Sequence, residues 1–193
     1  SLQVYDSPGT YLSTQEAADK PFRISIQPHA GLIRPETVSM QLRLPKAMKA
    51  GGDITRIKIE YSFILPEYGA DRCGILKTKN GNIFAVAQWF PRMCVFDDVQ
   101  GWNTDPYLGP SEFYCEYGDF DVTITAPATH IVVCCGELLN EAEVLTPTQF
   151  TRMAQAKKSD KTVIIRSAEE VTEASSRPTK SKTLSWHYKI TNA

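Results

Sequence analysis

Residues 84–125, with the sequence FAVAQWFPRMCVFDDVQGWNTDPYLGPSEFYCEYGDFDVTIT, hold the strongest structural signals of this chain. The run 83–90 at their start is apolar and long enough for one buried strand. At their end, residues 120–125 alternate between apolar and polar side chains, which predicts a half-buried strand. Together the two patterns predict β-strands on either side of a long connection.

The connection between these runs is dense in aromatic and acidic side chains and has little helical periodicity. Long connections of this kind are usually functional or packed by their own side chains. One interpretation is a lid of aromatic rings folded back over a sheet, because such rings mainly supply buried area. The other is a loop that faces a ligand or a partner. The residues concerned are Phe96, Asp97, Asp98, Trp102, Asp105, Tyr107, Glu112, Phe113, Tyr114, Glu116, Tyr117 and Asp119.

Composition and charge narrow the classes of protein to consider. Hydrophobic residues make up 42% of the 193 and charged residues 22%, proportions that allow one full hydrophobic core. The net charge of -1 gives no overall attraction to nucleic acid, and the basic residues form no stripe along the chain. No apolar run approaches the length of a membrane span. We therefore expect neither nucleic acid among the partners nor a membrane span.

The cysteines indicate buried thiols, or at most one disulfide. They are Cys73, Cys94, Cys115, Cys134 and Cys135. No two of them form a C-x-x-C motif, and none pairs with a histidine at zinc-finger spacing. Cys134 and Cys135 would point to opposite faces of a strand, which makes them poor disulfide partners.

The remaining patterns predict more strands than helices. Alternating or apolar runs predict strands over 22–26, 38–44, 54–65, 131–139, 163–165 and 184–191, besides the two named above. The pair Asn80-Gly81 predicts a type I′ hairpin turn, and Gly136 a bulge or bend. The predicted fold class is mainly β, a β-sandwich or packed sheets with one or two short helices, forming a single β domain over residues 1–193.

One helix start is clearly marked. In Thr146-Pro147-Thr148-Gln149, the first Thr suits the N-cap, Pro the first helical position, and Gln the closing residue of a capping box. We expect this helix to run to about Lys157, with Phe150, Met153 and Ala154 on one face. Ser167 and Glu170 offer a second capping box.

The sequence offers no self-contained active site. It has no H-E-x-x-H zinc motif, no G-x-S-x-G nucleophile elbow and no glycine-rich phosphate loop. Two binding interpretations survive. Acidic oxygens could hold calcium, and the rings of Trp89, Trp102 and Tyr107 could stack on sugars. The acids concerned are Asp97, Asp98, Glu112, Glu116, Asp119 and Asp121.

Several short motifs stand together in residues 84–125 and carry a resemblance to a known family. They are Gln88-Trp89-Phe90-Pro91, Phe96-Asp97, Gly101-Trp102, Glu112-Phe113, Glu116-Tyr117-Gly118 and Asp119-Phe120-Asp121-Val122. The stretch resembles the N-terminal β domain of aminopeptidase N-like zinc metallopeptidases, the gluzincins, in their bacterial subgroup. The similarity continues through HIVVCCGELLN at 130–140 and SWHYKITNA at 185–193, so it covers most of residues 54–193. Residues 1–53 match less well.

The resemblance implies a saddle-shaped, non-catalytic β domain that lines one side of a peptide cleft. The chemistry would belong to a C-terminal thermolysin-like domain of the same parent chain, whose H-E-x-x-H and downstream Glu hold zinc. The resemblance therefore implies no catalytic residue, cofactor or metal ligand in this sequence, and an exported parent enzyme in the periplasm or cell envelope. The substrate-cleft candidates it gives are Gln88, Trp89, Phe90, Trp102, Glu112 and Glu116.

Gln88 is the nearest match to a family residue that touches the substrate's free amine in other branches. The family pattern T-Q-x-E is absent here, and Trp89-Phe90-Pro91 stands in its place. A second hypothesis is a free-standing β-sandwich that binds glycan or protein. The first predicts a reading frame that continues to an H-E-x-x-H motif, and the second predicts a stop near Ala193 with autonomous ligand binding.

Overall fold

A computed structural model describes residues 21–25, 39–43, 51, 54–59, 61–67, 72–105, 114–178 and 181–193, the first two ranges as backbone. The chain divides into two compact units, Ser1–Glu116 and Tyr117–Ala193. Within the described ranges the elements are β1 (Pro21–Ser25), β2 (Ser39–Arg43), β3 (Gly74–Thr78), β4 (Gly81–Ala85), β5 (Arg92–Met93), β6 (Phe96–Asp97), β7 (Gly101–Trp102), β8 (Phe120–Pro127), β9 (Glu137–Leu138), α1 (Glu141–Val144), α2 (Pro147–Ala156) and β10 (Thr183–Ile190), with 3₁₀ turns at Glu170–Thr172 and Ala174–Ser176 before β10.

The unit Ser1–Glu116 contains small antiparallel sheets. β1 pairs with β2 along its whole length and with β5 at Ile24 and Ser25, giving the strand order β2-β1-β5. This pairing confirms the strands predicted over 22–26 and 38–44. β3–β4 and β6–β7 form two further two-stranded sheets.

The β3–β4 hairpin confirms the predicted reversal at Asn80-Gly81, but the turn type is not the predicted one. A type I′ turn needs positive φ at both central residues, Lys79 and Asn80. Of the glycine and its neighbours only Gly81 has positive φ, at 115°. The Thr78 hydroxyl holds the turn, because it donates to the Gly81 carbonyl at 2.7 Å and accepts from the Asn80 N–H at 3.2 Å.

The buried strand predicted over 83–90 is wrong in both length and burial. β4 ends at Ala85, and all five of its residues are exposed. Ile83 and Phe84 keep 57% and 46% of their surface accessible. An apolar run shows what a chain could bury, whereas burial needs a second layer over the run.

The strand predicted over 54–65 is also not formed in the described part of that range, which contains no strand residues. Burial alternates only over 54–59, where Thr55, Ile57 and Ile59 are half-buried and their neighbours exposed. The alternating pattern also placed Tyr61 and Phe63 on the apolar face, but both are exposed, so that face was predicted only in part. A strand also requires a hydrogen-bonded neighbour, and patterning does not supply one.

The unit Tyr117–Ala193 is built on two eight-residue strands, β8 and β10. They pair antiparallel from Phe120↔Ile190 to Pro127↔Thr183, and β9 adds to the other side of β10. β8 alternates between half-buried and exposed residues, which confirms the half-buried strand predicted over 120–125. β10 confirms the strand predicted over 184–191. The core of this unit consists of Leu138, Val144, Leu145, Trp186 and Tyr188.

Asn140 continues the edge of the sheet where β9 stops. Its side-chain Oδ1 accepts a hydrogen bond from the His187 N–H at 2.9 Å, and its Nδ2 donates to the Ser185 carbonyl at 2.9 Å. The Leu139 N–H donates to the His187 carbonyl at 2.8 Å. One amide side chain thus replaces part of a neighbouring strand.

Two of the predicted strands in this unit do not form as predicted. Of residues 131–139 only β9 is a strand, and residues 163–165 have no strand assignment. The predicted bend at Gly136 is confirmed, with φ of 95°. Glycine is required at this bend, because a Cβ at Gly136 would clash with the Lys189 carbonyl oxygen.

Helix α2 begins and ends where predicted. The Thr146 hydroxyl accepts from the Gln149 N–H and the Gln149 side chain accepts from the Thr146 N–H, which is the expected capping box. The predicted apolar face is only partly right, since Phe150 is 44% exposed. Gln149 is buried instead, and its Nε2 donates to the Ser176 carbonyl at 2.9 Å. The second capping box also forms, between Ser167 and Glu170.

We expect Thr146→Ala to lower the free energy of unfolding by about 1 kcal/mol, the usual value of an N-cap hydroxyl. Thr148→Ala is the matched control, because Thr148 lies in the same turn but is exposed. Urea unfolding followed by far-UV circular dichroism measures both variants. Equal effects of the two substitutions would contradict a capping role for Thr146.

In the described part of the chain, the fold class is mainly β, with small antiparallel sheets and two short helices. The mainly β class and the helix content were both predicted. None of the described helices is long and apolar enough to span a membrane. The structure describes all five cysteines, and none of them forms a disulfide. Cys73 and Cys94 are buried as predicted, whereas Cys135 is exposed.

Candidate functional site

An open groove in the unit Ser1–Glu116 is the candidate site. Its volume is about 520 Å³, and its lining residues are Ile59, Tyr61, Ser62, Phe63 and Trp89. The rings of Tyr61 and Phe63 stack at 6.4 Å between centroids, with 12° between their planes. Both side chains remain exposed, at 43% and 42%. The groove is shallow, so a group bound on its aromatic lining would remain partly in contact with solvent.

Trp89 connects the aromatic lining of the groove to Phe90 and Arg92. The Tyr61 hydroxyl donates to the Trp89 carbonyl at 2.7 Å, and partial burial raises the pKa of this phenol. The Trp89 and Phe90 rings meet edge to face at 5.2 Å between centroids. The Arg92 guanidinium lies 5.3 Å from the Phe90 ring centre, a cation–π contact. Contacts to Tyr61 on one side and to Arg92 on the other therefore hold Trp89 and Phe90 in place.

Gln88 has an unusual backbone conformation beside this aromatic lining. Its φ is 54°, in the left-handed region that non-glycine residues seldom occupy. The preceding residue is pinned, since the buried Cys73 thiol donates to the Ala87 carbonyl at 2.9 Å and its sulfur accepts from the Ala87 N–H at 3.2 Å. These contacts hold the chain immediately before the left-handed residue Gln88.

A second aromatic cluster lies on the β6–β7 hairpin. Phe96 and Trp102 are register partners, and their rings meet edge to face at 5.1 Å between centroids. The Asn103 N–H donates to the Val95 carbonyl at 2.8 Å, and the neighbouring Cys94 and Val95 are buried. Trp102 is half-buried. In its described part, the aromatic connection thus packs partly on itself. The interpretation as a loop that faces a ligand or a partner stays a prediction.

Asp97 organises the turn between β6 and β7. Its Oδ1 accepts from the Gln100 N–H at 2.7 Å and from the Val99 N–H at 3.0 Å. The Gln100 bond is the main cause that lowers the Asp97 pKa, while Val99 and the Tyr114 hydroxyl add to it. Desolvation, followed by the charge of Asp97, raises the pKa of Tyr114.

This turn should loosen in acid. A carboxyl whose pKa is lowered by folding stabilises the folded state above its unfolded pKa of 3.8, and that stabilisation is lost as pH falls through the lowered value. We expect the amide signals of Val99 and Gln100 to change in NMR spectra below about pH 4. Asp97→Asn should abolish this pH dependence. A wild-type turn unchanged down to about pH 2, below the usual range of folded aspartates, would contradict the role of Asp97.

The six predicted cleft residues fall into four groups. Gln88, Trp89 and Phe90 adjoin or line the groove, and Trp102 belongs to the second cluster. Glu116 is exposed, and its charge acts on the Tyr114 phenol. Glu112 and Tyr107 lie outside the described residues.

Sequence reasoning missed Tyr61 and Phe63 as site residues. The signal was present, because the alternating pattern of 54–65 places both on one face of the chain. Such a pattern is typical of the core side of a strand, so it predicts packing and not binding. Arg92 was missed as well, and no pattern in the sequence marks its contact with Phe90.

The acids do not support the calcium interpretation. Among the described residues, no three His, Cys, Asp or Glu side chains lie together in a way that could hold a metal ion. Asp97 uses its carboxylate to hold backbone N–H groups of its own turn. Glu112 lies outside the described residues and does not enter this comparison.

Comparison with protein-family models, with curated proteins and with solved structures finds no match for this chain. Function therefore has to be argued from the residues and the geometry.

Proposed function

We propose that this chain is the non-catalytic N-terminal β domain of a zinc aminopeptidase. In this proposal its sheets form a saddle or sandwich, and the groove beside Trp89 lines the peptide cleft. The domain packs on a C-terminal thermolysin-like catalytic domain of the parent chain. It positions peptide substrates and does not cleave them.

The observation that carries the proposal is the position of Gln88-Trp89-Phe90-Pro91. These residues form one of the motifs on which the family resemblance rests, and Trp89 lines the open aromatic groove. Gln88 beside it has left-handed backbone geometry. Strained backbone of this kind clusters at sites that clamp ligands, which supports a binding role for the segment.

The groove chemistry suits one apolar side chain of a peptide. Stacked Tyr61 and Phe63 rings and the Trp89 ring offer flat apolar surface. The Tyr61 hydroxyl is already bonded to the Trp89 carbonyl, so its ring is fixed in place. Rigid aromatic walls bind with little loss of side-chain entropy.

The proposal assigns zinc to the other domain. The described residues of this chain provide no three-ligand cluster for it. Zinc bound by the partner domain would supply a water activated for attack on the peptide carbonyl. This chain would contribute orientation and exclusion of water from one side of the cleft.

Zinc content and peptide cleavage test the proposal, compared between this chain and the longer parent product. We expect a zinc-bearing parent that cleaves N-terminal residues, and an inert chain without zinc. Trp89→Ala in the parent should raise KM for peptides with a bulky first residue about tenfold, the loss of a well-packed aromatic contact. A parent that ends at Ala193, or a chain that cleaves peptides alone, would overturn the proposal.

Gln88 offers a separate prediction. Gln88→Gly should raise the free energy of unfolding by about 1 kcal/mol, because glycine occupies the left-handed region without a Cβ clash. The same variant should lower kcat/KM of the parent. Gln100→Gly is the matched control: Gln100 has no positive φ, so this variant should lose stability. If Gln88→Gly lowers stability as Gln100→Gly does, the left-handed geometry of Gln88 is not a source of strain.

The exposed, nearly parallel Tyr61 and Phe63 rings favour a second candidate, a free-standing β module that binds glycan. Sugar rings stack on such surfaces through their apolar faces. Binding of a soluble oligosaccharide by this chain, lost in Tyr61→Ala, would support this candidate. The aminopeptidase proposal expects no such binding.

A further inference from the structure

Strand β8 lies at the end of the sheet β8-β10-β9, so only one of its sides pairs with a described strand. The Ala128 N–H donates to the Lys182 carbonyl at 2.9 Å, and these two residues continue the β8–β10 register. Hydrogen-bonded and non-hydrogen-bonded pairs alternate along an antiparallel ladder. The backbone N–H and C=O groups of Asp121, Thr123 and Thr125 therefore point away from β10.

The other side of β10 gives the same alternation. The Leu139 N–H donates to the His187 carbonyl, so the odd-numbered residues of β10 direct their backbone groups toward β9 and the even-numbered ones toward β8. In the part of the chain that the structure describes, no hydrogen bond reaches the outward backbone groups of residues 121, 123 and 125. All three residues are exposed. The outer edge of β8, meaning these outward groups, is open to a further strand.

This outer edge has little of the protection that open edges usually carry. Proteins block such edges with charges, prolines or bulges. In β8, Pro127 stands at the last position, and residues 122–126 contain no charge and no proline. Asp121 is the one charged residue of this strand, and its carboxylate is already 2.7 Å from the His187 Nε2. The β8–β10 register runs without a bulge.

Self-pairing of this edge has one register that uses all of the outward groups. With Thr123 on a two-fold axis, Asp121 faces Thr125 of a second copy, and both backbone groups of all three residues are bonded. A shift by one residue would oppose outward groups to groups already bonded to β10. A shift by two residues would bring in Pro127, which has no N–H, or Asp119, which lies outside the strand.

The side chains suit the same register. On the half-buried face, Val122 meets Ile124 of the second copy and Phe120 meets Ala126, so the apolar row continues from one copy into the other. On the exposed face, Thr123 meets the same threonine, and no two acids lie opposite each other. Apolar pairs and threonine pairs across neighbouring strands are favourable. The strand is therefore complementary to itself in backbone, shape and charge.

We propose that the outer edge of β8 pairs with the same edge of a second copy of this chain, antiparallel and about a two-fold axis at Thr123. The two three-stranded sheets then become one continuous sheet with the order β9-β10-β8-β8-β10-β9. A self-complementary patch is the basis of a two-fold dimer. This inference does not rest on the proposed function.

Sedimentation equilibrium and amide hydrogen exchange over a range of protein concentrations test this dimer. We expect a dissociation constant on the order of 100 μM, a weak affinity typical of an edge contact held mainly by neutral hydrogen bonds. Above this concentration, exchange at Asp121, Thr123 and Thr125 should slow. Exchange at Val122 and Ile124, which are already bonded to β10, should not change. A chain that stays monomeric, or outward amides that are equally protected in dilute solution, would overturn the proposal.

Charges at Thr123 test the register. Thr123→Lys and Thr123→Glu each place like charges opposite each other at the axis and should weaken the dimer at least about tenfold. Because the Thr123 side chain is exposed, both variants should fold. An equimolar mixture of the two should dimerise again, since opposite charges then face each other. Thr162→Lys, at an exposed position of the same unit, is the matched control and should dimerise as the wild type does.

The mixture separates pairing at β8 from any other dimer. If Thr123→Lys dimerises as well as the wild type, the two copies meet at another surface. If the mixture of the two charged variants stays monomeric, Thr123 does not lie on the axis. Either result would contradict the proposed interface.

Discussion

Gly136→Ala is expected to lower the free energy of unfolding of the unit Tyr117–Ala193 by about 2–5 kcal/mol. The backbone φ of 95° is strained for any residue with a Cβ. The added methyl would also clash with the Lys189 carbonyl oxygen and lie 2.9 Å from the Ile190 Cβ. Both obstacles are rigid, because they belong to the backbone and to a β-branched carbon of β10.

Gly118→Ala is the matched control, because it lies in the same unit and its φ is not positive. A Cβ there would lie 3.8 Å from the Phe120 ring, an ordinary contact, so we expect an effect within about 0.5 kcal/mol. Urea unfolding followed by circular dichroism compares the two variants. Equal stability of the two alanine variants would mean that β9 can move away from β10 without loss.

Trp186→Ala should have an effect of similar size, about 3–5 kcal/mol. Trp186 is 1% exposed and is the largest fully buried side chain of the described residues. It packs in the cluster with Leu138, Val144 and Leu145. Removing the ring leaves a cavity that β10, paired on both sides, cannot close. Hydrogen exchange of the β8 and β10 amides would report the loss.

Two other variants show whether the effect comes from the ring. Trp186→Phe should cost much less, because it keeps most of the apolar area and deletes an indole N–H that has no hydrogen-bond partner among the described residues. Phe150→Ala removes a ring of which 44% is exposed and should cost little. If Phe150→Ala lowered the free energy of unfolding as much as Trp186→Ala, the core would not be the cluster around Trp186.

The fold was most predictable where local chemistry alone determines the structure. The capping box at Thr146, the alternation of 120–125 and the bend at Gly136 each follow from properties of a few adjacent residues. The run 54–65 was predicted as a strand from its alternation, and the runs 83–90 and 131–139 from their apolar content. Whether such a run becomes a strand depends on a hydrogen-bonding neighbour far along the chain, which a sequence pattern does not contain.

The candidate site was predictable in part for the same reason. The Gln88-Trp89-Phe90-Pro91 motif predicted one part of the groove lining, Trp89. The run 54–65 contributes Tyr61 and Phe63 to the same lining, and neither was predicted as a site residue. The left-handed backbone of Gln88 has no local signal, since glutamine has no preference for that region. It depends on the distant Cys73 thiol, which holds the preceding residue.

Asn140 protects part of the β10 edge from pairing with another copy of this protein. An open strand edge is a template on which another chain can add a strand, and growth of this kind leads to aggregates. On the β9 side of β10, the His187 N–H and C=O and the Ser185 C=O are already occupied by Asn140 and Leu139. The Asn140 side chain and the Leu139 N–H thus cover a stretch of the β10 edge that the two-residue β9 is too short to cover, and no incoming strand can pair there.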